Sequence, residues 1–273
     1  MGGMNVVTVS LCMIVKNEED VLARCLDSVK DLVDEIIIVD TGSKDRTKEI
    51  AQDTYTDNVF DFVWIDDFAA ARNFAFSKAK CMYCMWLDAD DVILPKDQEG
   101  FQRLKETLSP ETDMVMMKYH TAFDSSGKPT FSYYRERLIA NHKGYQWVGA
   151  VHEIIPPTGN IYYSDDAAIS HKKLRVQDPD RNLRIFEKLI AQGNVLDARQ
   201  QFYYARELYY HNQFEKAIQV FNAFLQREDA WVENQIDACT FIVDVKWVRN
   251  KRRFMRYFKA LFMMSRVQKR AVK

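Results

Sequence analysis

The sequence lacks the features of chains that enter or cross membranes. No apolar run is long enough to span a bilayer. The N-terminal residues MGGMNVVTV have neither the basic region nor the long apolar stretch of a signal peptide. The five cysteines are odd in number and scattered, which argues against a disulfide framework. We therefore expect a cytoplasmic chain.

An excess of charge of either sign is also absent. The formal net charge is -1, which gives no overall sign of a nucleic-acid-binding protein. A length of 273 residues, 47% of them hydrophobic, is ordinary for a globular protein with one substantial core and a smaller second unit. Cys81 and Cys84 form a C-x-x-C pair, but no second pair follows at metal-binding spacing. We interpret both as small buried side chains at a helix-to-strand junction.

The first ninety residues alternate between β-branched apolar runs and helical patterns. Strands are predicted over residues 6–15, 35–40, 59–65 and 82–88. Helices are predicted over residues 18–29, 44–53 and 68–80. Asn17 is a candidate cap for the first helix. Continuous apolar strands that alternate with helices indicate an α/β fold, with a mainly parallel sheet covered by helices on both faces.

The remaining sequence favours two further patterns. Shorter strands with hairpin-like turns are predicted over DMVMMKYHTAF, TFSYYRERLIA, YQWVGAVHEII and GNIYYSDDAAISH, as a mixed extension of the sheet. From about Arg181 the pattern becomes helical. Residues 197–229 match the outline of a tetratricopeptide repeat, and equally that of a plain helical hairpin. We expect two domains, residues 1–177 and residues 178–273.

Polar residues directly follow three of the predicted strands. They are Lys16 and Asn17 after the first strand, Asp40 at the end of the second, and Asp88, Asp90 and Asp91 after the fourth. Because the carboxyl ends of parallel strands meet at one edge of a sheet, a binding site is expected there. In an extended chain Asp88 and Asp90 point the same way, so Mg²⁺ or Mn²⁺ could relieve their repulsion and bind phosphate oxygens. Aspartates after a strand also serve as caps and turn residues.

The ordered motifs LCMIVKNEED, EIIIVDTGSKDRT, FAAARNFAF and MWLDADD resemble family 2 glycosyltransferases of the GT-A fold. The most similar subgroup couples that domain to tetratricopeptide-like helices. It includes peptide S-glycosyltransferases that modify bacteriocins and lipopolysaccharide-core glucosyltransferases. The resemblance covers residues 6–175 and, more weakly, 181–225. It implies metal-dependent, inverting transfer of a hexose from a UDP-sugar to a peptide, protein or glycan acceptor.

The resemblance also implies roles for single residues on the donor side. The residues expected to bind the donor are Val15, Lys16, Asn17, Glu18, Asp40, Arg72, Asn73 and Asp88. Among them, Asp40 would accept the N–H of the uracil ring. The expected metal ligands are Asp90, Asp88 and His171. The chain departs from the family after His171, where Lys172 and Lys173 replace an aromatic-glycine turn.

On the acceptor side, two segments carry the resemblance. YRERLI places Arg135 and Arg137 near the acceptor, and WVGAVHE supplies Trp147, His152 and Glu153. Glu153 is the expected catalytic base, with His152 beside it and Asp90 holding the metal. Structural roles remain open: the histidine could orient its neighbour or fill a core, the glutamate could bind sugar hydroxyls, and the arginines could form surface ion pairs.

The acceptor and partners stay open at this level. The helical region favours a peptide or protein acceptor, and it would equally serve a homodimer. Residues 245–273 contain 11 Lys or Arg and no acidic residue, with Phe254, Phe258 and Leu261 at helical spacing. That pattern fits peripheral membrane contact, which would suit a lipid-linked envelope-glycan acceptor, or a solvated helix packed on the preceding repeat.

Two other classes of protein are disfavoured. A nucleotidyltransferase would carry a glycine-rich phosphate loop after the first strand, where this chain has IVKNEED. A non-catalytic scaffold with a decayed transferase domain would have lost site residues. Asp88, Asp90, His152 and Glu153 are all present.

Overall fold

The computed structural model describes residues 6–174 and 178–249. These two ranges form two compact units, which are described separately. Nearly all of the basic segment 245–273, including Phe254, Phe258 and Leu261, lies outside the described residues. Of the helices that are described, none is both long and apolar enough to cross a bilayer.

The first unit is built on one eight-stranded sheet. Its strands are β1 (Val9–Val15), β2 (Glu35–Asp40), β3 (Val59–Asp61), β4 (Tyr83–Met85), β5 (Asp91–Val92), β6 (Met114–Phe123), β7 (Pro129–Ala140) and β8 (Ile161–His171). Its helices are α1 (Leu22–Asp27), α2 (Thr47–Thr54), α3 (Phe68–Phe76) and α4 (Pro95–Thr107). The spatial order of the strands is β3-β2-β1-β4-β7-β6-β8-β5.

The first four strands pair in parallel, and β6 pairs in parallel with β8. By contrast, β7 runs antiparallel to both β4 and β6, and β5 runs antiparallel to β8. The predicted fold class is therefore confirmed: a mixed, mainly parallel sheet of GT-A-like type, followed by a helical region.

Helices cover both faces of this sheet because the central strands are apolar on both sides. Along β1, Leu11 and Met13 belong to a buried cluster with Leu26 of α1. Cys12 belongs to a second buried cluster with Ala75 of α3. Burial of each side chain the size of leucine contributes about 1.5–3 kcal/mol. The same packing therefore fixes α1 and α3 against the strand ends that carry the candidate site.

The start of α1 differs from the prediction. The helix begins at Leu22, and Asn17 does not cap it. Instead Asn17 adopts a left-handed conformation with φ of 54°. Its side-chain oxygen accepts the backbone N–H of Lys44 at 2.7 Å. The asparagine is thus used to join the loops after β1 and β2 rather than to start a helix.

The predicted strand over residues 145–155 is also wrong. Only Val148 and Ile154 pair, as an isolated antiparallel bridge. Between them Gly149 and His152 have φ of 96° and 55°, and such left-handed residues interrupt an extended strand. The segment is therefore a loop with a tight reversal. Of the C-x-x-C pair, Cys84 is buried in β4 and Cys81 is half-buried.

The second unit consists of helices. They are α5 (Arg181–Ala191), α6 (Ala198–Tyr210), α7 (Phe214–Phe224) and α8 (Val232–Arg249). Asp197 and Gln200 form a capping box at the start of α6. Phe202 of α6 packs against Phe221 and Phe224 of α7, with ring centroids 6.0 and 5.6 Å apart. The helical region predicted from Arg181 onward is confirmed, and α6 and α7 form its central hairpin.

Candidate functional site

The loops after β1 and β2 are tied together by side-chain to backbone hydrogen bonds. The backbone N–H of Asn17 donates to Ser43 Oγ at 2.9 Å, and that of Glu18 donates to Thr47 Oγ1 at 2.7 Å. Val15 pairs directly with Asp40 across β1 and β2. The structure therefore brings five of the predicted donor-side residues to one edge of the sheet: Val15, Lys16, Asn17, Glu18 and Asp40.

Asp40 closes β2 and has one carboxylate oxygen without a partner. Oδ1 accepts the backbone N–H groups of Gly42 and Ser43, both at 2.9 Å. This turn requires Gly42 at φ of 103°, where a side chain would be strained. Oδ2 is buried and has no hydrogen-bond partner in the described part of the chain. A buried orphan acceptor of this kind can take an N–H group of a ligand.

Asp90, Asp91 and His171 form a compact group at the same edge. Asp91 and His171 are opposite each other because β5 pairs antiparallel with β8. His171 Nδ1 lies 3.1 Å from Asp91 Oδ1 and 3.3 Å from Asp90 Oδ1. The three residues each offer one ligand atom within 4.8 Å of the others, so this group could hold a metal ion.

Asp91 is the buried member of this group and contacts several protein donors. It is fully buried, and Oδ1 accepts the hydroxyl of Tyr119 at 2.8 Å. Oδ2 accepts the backbone N–H of Asp88 at 3.1 Å and lies 3.4 Å from Arg137 Nη1. With both oxygens already occupied by protein donors, Asp91 is suited to orient His171.

The pKa values in the group follow from burial and from these contacts. Burial raises the pKa of Asp90 above its ordinary value, although the neighbouring His171 acts in the opposite direction. The hydrogen bond with Asp91 raises the pKa of His171, and the charge of Asp90 adds to the rise. The charges of Asp88 and Asp91 add to the rise at Asp90, so part of each shift comes from clustered negative charge that a cation would relieve.

Asp88 lies outside this three-residue group, and its carboxylate forms an ion pair with Arg72 instead. Arg72 Nη2 donates to Asp88 Oδ1 at 2.8 Å, and Arg72 Nε donates to Glu153 Oε1 at 2.7 Å. Burial alone would raise the pKa of Asp88, but the charge and hydrogen bond of Arg72 outweigh it and lower that pKa. One buried guanidinium therefore joins the expected D-x-D motif to the expected base.

Aromatic rings hold that guanidinium in place. The carbon of the Arg72 guanidinium lies 4.7 Å from the ring centre of Trp86 and 4.9 Å from that of Trp147. Arg135 lies 4.8 Å and Arg137 3.7 Å from the same Trp86 ring. Three arginine side chains thus contact the buried indole of Trp86, which precedes Asp88 by two positions in the sequence.

The two arginines predicted on the acceptor side differ in exposure. Arg137 is fully buried, where Nη1 donates to the Trp86 carbonyl at 3.0 Å. The Arg135 side chain is 23% exposed and pairs with Glu136 at 3.0 Å. Arg137 therefore lies in the interior next to Asp91, whereas part of Arg135 is at the surface.

Helix α3 fixes the loop that carries His152 and Glu153. The Asn73 amide forms two hydrogen bonds with the backbone of Trp147, at 3.0 and 2.9 Å. The backbone N–H of Phe68 also donates to the carbonyl of Ala150 at 2.9 Å. Asn73 is thus engaged with the loop, while Glu153 keeps 13% of its side chain exposed.

Sequence reasoning missed three residues that complete the site. Trp86 lies inside the MWLDADD motif, but nothing in the sequence shows that three arginine side chains contact it. Tyr119 has no local signal at all. Asp91 appeared only as a third acidic residue, since its role depends on pairing with His171 across 80 positions.

Comparison with known proteins shows similarity to several glycosyltransferases and to one repeat protein. The chain is 47% identical over 97 residues to the TPR repeat-containing protein Synpcc7942_0270 of Synechococcus elongatus, covering 34% of this chain and 23% of that protein. It is 34% identical over 94 residues to the SPbeta prophage-derived glycosyltransferase SunS of Bacillus subtilis, covering 34% and 22%. It is 27% identical over 179 residues to the lipopolysaccharide core biosynthesis glycosyltransferase LpsC of Rhizobium meliloti, covering 62% and 64%.

Each alignment spans less than two thirds of the relative's own length. Among solved structures, S. aureus TarS 1-349 in complex with UDP matches with a TM-score of 0.47 at 15% identity. That match covers 87% of this chain and 80% of the TarS chain. The sequence model of the family described as Glycosyl transferase family 2 matches residues 10–165, more than half of the chain. The chain therefore belongs to glycosyl transferase family 2.

Proposed function

We propose that this protein is a metal-dependent, inverting glycosyltransferase that moves a hexose from a UDP-sugar to a peptide, protein or glycan acceptor. One observation carries the proposal. At the carboxyl edge of the sheet, the Asp90–Asp91–His171 group stands beside the array in which Arg72 joins Asp88 to Glu153. A site for a charged donor and a carboxylate suited to proton transfer thus occur together.

The donor nucleotide would bind over the loops after β1 and β2. The unpartnered Oδ2 of Asp40 is a buried acceptor for the N–H of a uracil ring. Cytosine has no N–H at the corresponding ring position, so this acceptor favours UDP over CDP. Asn17 and Glu18 hold the two loops in the conformation that presents Asp40.

The donor set at the next strand ends fits Mn²⁺ or Mg²⁺. Carboxylate oxygens suit these hard cations, and the imidazole of His171 would add one nitrogen ligand. Asp90 and His171 would hold the ion, with Asp91 fixing the orientation of the imidazole. When bound, such an ion neutralises diphosphate charge and makes UDP a better leaving group.

Glu153 is the residue to which we assign the acceptor proton. Arg72 bonds to Oε1, which fixes the carboxylate, and we assign the proton to Oε2. The acceptor atom attacks the anomeric carbon opposite UDP, the bond from that carbon to the diphosphate oxygen breaks, and the sugar configuration inverts. His152 precedes the base in the same tight loop and would help to set its position.

Each of the two units is assigned its own role in the proposed function. Residues 1–177 would form the transferase domain and residues 178–273 a helical region. The α6–α7 hairpin supports a tetratricopeptide-like surface that binds a peptide or protein acceptor, or a second copy of the chain. The relatives named above include a lipopolysaccharide core biosynthesis glycosyltransferase, so a lipid-linked envelope glycan is the alternative acceptor.

The first test is release of UDP from a panel of UDP-sugars in the presence of Mn²⁺. The parent is compared with Asp90→Asn and with the control Asp229→Asn, which changes an exposed aspartate of the second unit. We expect slow hydrolysis of one sugar nucleotide by the parent and the control, and at least a hundredfold loss in Asp90→Asn. No turnover and no Mn²⁺-dependent UDP binding by the parent would contradict the proposal and favour a non-catalytic scaffold.

A further inference from the structure

Among the described residues, the outer half of β7 has a neighbouring strand on one side only. Strand β4 ends at Met85 and pairs with β7 only over 138–140. Over 130–135, the strand that pairs with β7 is β6, and no second strand among the described residues flanks it. Alternate residues of this segment therefore direct backbone N–H and C=O groups to an open side. We call residues 130–135 the free edge of β7.

The free edge is exposed and carries little of the usual protection. Residues 130–133 are all exposed, with Phe131 at 60% and Tyr133 at 40%. Proteins commonly block exposed strand edges with lysines, prolines or covering elements. Pro129 precedes the free edge and the β6–β7 register shifts opposite Phe131, but the segment TFSYY itself carries no charge and no proline. An exposed strand edge without charges can accept an added strand.

The far end of the same sheet shows the contrast. On β8 the backbone N–H of Ala168 is taken by Asp97 Oδ1 of α4 at 3.2 Å. A Cβ atom on Gly100 of α4 would lie 1.7 Å from the carbonyl oxygen of Asp166, so α4 packs directly against β8. Within the described part of the chain, α4 therefore covers β8, whereas no element covers the free edge of β7.

The free edge also stands beside the candidate site. Met85, the last residue of β4, pairs with Leu138 of β7. A strand that continued in the direction of β4 beyond Met85 would therefore lie alongside the free edge. The first residue after β4, Trp86, donates its indole N–H to the carbonyl of Glu136. Tyr133 packs edge-on against Tyr119 at 5.7 Å, and the Tyr119 hydroxyl donates to Asp91. A strand lying there would continue the line of β4 over the edge of the sheet that carries the aspartates.

We propose that the free edge of β7 binds the acceptor as an extended peptide strand, an inference that rests on the proposed transferase function. An added strand pairs with the open backbone groups, and its alternate side chains contact Phe131 and Tyr133. A saccharide offers no row of N–H and C=O groups that matches a strand edge. The occupant is therefore a peptide rather than a glycan.

The chemical step then involves a serine, threonine or cysteine of that peptide. Its oxygen or sulfur forms the new bond to the anomeric carbon as the bond from that carbon to UDP breaks. Its proton passes to Glu153, and UDP leaves with the electrons of the broken bond. The reacting side chain belongs at the end of the added strand nearest Glu136, where the free edge meets the candidate site.

The test uses the 273-residue chain and short peptides. A display library of random seven-residue peptides with a serine, threonine or cysteine at one end or the other is selected on the immobilised chain with UDP and Mn²⁺. Recovered peptides are resynthesised, and hydrogen exchange of the chain is measured with and without each peptide. We expect at least tenfold slower exchange of amides within 130–135. N-methylation of the peptide at alternate backbone nitrogens should abolish that protection in one register and preserve it in the other.

Other outcomes overturn the inference. Peptides that slow exchange only in α5–α8, or a library from which nothing protects 130–135, would show that the free edge is not the acceptor site. Protection of 130–135 by oligosaccharides in place of peptides would assign the surface to a glycan. If a peptide protects 130–135 but no UDP-sugar is turned over, the transferase function fails while the peptide site stands.

A pair of variants separates binding from folding. Phe131→Lys puts a charge on the free edge and should weaken peptide binding at least tenfold. Tyr162→Lys changes a tyrosine of β8 that is 44% exposed and should leave peptide binding and UDP release unchanged. Thermal unfolding of both variants checks that the fold is kept. Equal peptide affinity in Phe131→Lys and Tyr162→Lys, with both folded, would contradict the proposal.

Discussion

Asp88 and Glu153 are held by the same guanidinium, although they are far apart in the chain and belong to different parts of the site. Arg72 donates to Asp88 Oδ1 at 2.8 Å and to Glu153 Oε1 at 2.7 Å. Asp88 follows the central strand β4, whereas Glu153 lies in the loop between β7 and β8. The position of the proposed base is therefore set by the residue that also holds the first aspartate of the D-x-D motif.

Replacing Arg72 should affect both stability and chemistry. Arg72→Ala removes the partner of Glu153, whose side chain is 13% exposed, and of Asp88, whose side chain is 40% exposed. Breaking the buried pair with Glu153 should cost about 3–5 kcal/mol. Arg72→Lys should restore part of the stability but not the geometry, because a lysine cannot bond to two carboxylates in the plane of a guanidinium. Urea unfolding and UDP release measure the two effects.

The matched control for Arg72 is Arg46→Ala, which removes an exposed ion pair with Glu49. Exposed pairs of this kind contribute about 0–1 kcal/mol. Equal losses of stability in Arg72→Ala and Arg46→Ala would refute the buried bridge.

Mn²⁺ should raise the unfolding temperature of the parent chain. An ion that binds only the folded state stabilises it by about 2.7 kcal/mol at a concentration one hundred times its Kd. His171→Ala and Asp90→Asn should each lose most of this effect, whereas Asp229→Asn should retain it. Differential scanning calorimetry with and without Mn²⁺ provides the measurement. A full Mn²⁺ effect in His171→Ala would remove that residue from the metal site.

Asp40→Asn should separate nucleotide binding from folding. The asparagine oxygen can still accept the N–H groups of Gly42 and Ser43, so the turn should survive. The orphan Oδ2 becomes an NH₂ group, which faces the uracil N–H as a second donor. UDP affinity should fall by about 1–3 kcal/mol, the cost of a mismatched buried hydrogen bond. Titration calorimetry with UDP tests this, and unchanged affinity would place the base elsewhere.

The helical unit should be more stable at slightly acidic pH than at alkaline pH through His211. The backbone carbonyl of Glu207 and then the carboxylate of Asp180 raise the pKa of His211. A raised pKa in the folded state means that the contribution is full below the ordinary value of about 6.5. It is lost as the pH rises through the raised value.

The comparison for this effect is His211→Gln, measured by thermal unfolding at pH 6 and pH 9. The variant should lose more stability relative to the parent at pH 6 than at pH 9. An equal loss at the two pH values would show that the charge of His211 does not contribute.

Local patterns were sufficient to predict the parallel strands β1 to β4 and the polar residues that follow three of them. The apolar run ending at Asp40 and the acidic cluster after β4 are visible within a few residues, because strand ends and turns have short-range signals. The apolar pattern over 145–155 misled the prediction, since left-handed backbone at Gly149 and His152 leaves no periodic signature.

The rest of the site depends on strand pairing between distant residues. Asp91 meets His171 across 80 positions, and Arg72 meets Glu153 across 81. The burial of Arg137 beneath Trp86 likewise follows from the packing of β7 beside β4, which no short window contains. Residue types indicate which kinds of metal ligand and charged group the chain offers. Only the fold shows which of these side chains lie next to each other.

The two hydrogen bonds between Asn73 and the Trp147 backbone have a consequence for the timing of catalysis. A loop that is already clasped to α3 does not have to be ordered when substrate arrives, because its conformational entropy is lost during folding. The proposed base would then be preorganised, and binding energy would remain for aligning sugar and acceptor. Glu153 should accordingly be as rigid in the free protein as in any complex. Conformational changes that accommodate different acceptors should occur in segments that are not bonded to α3.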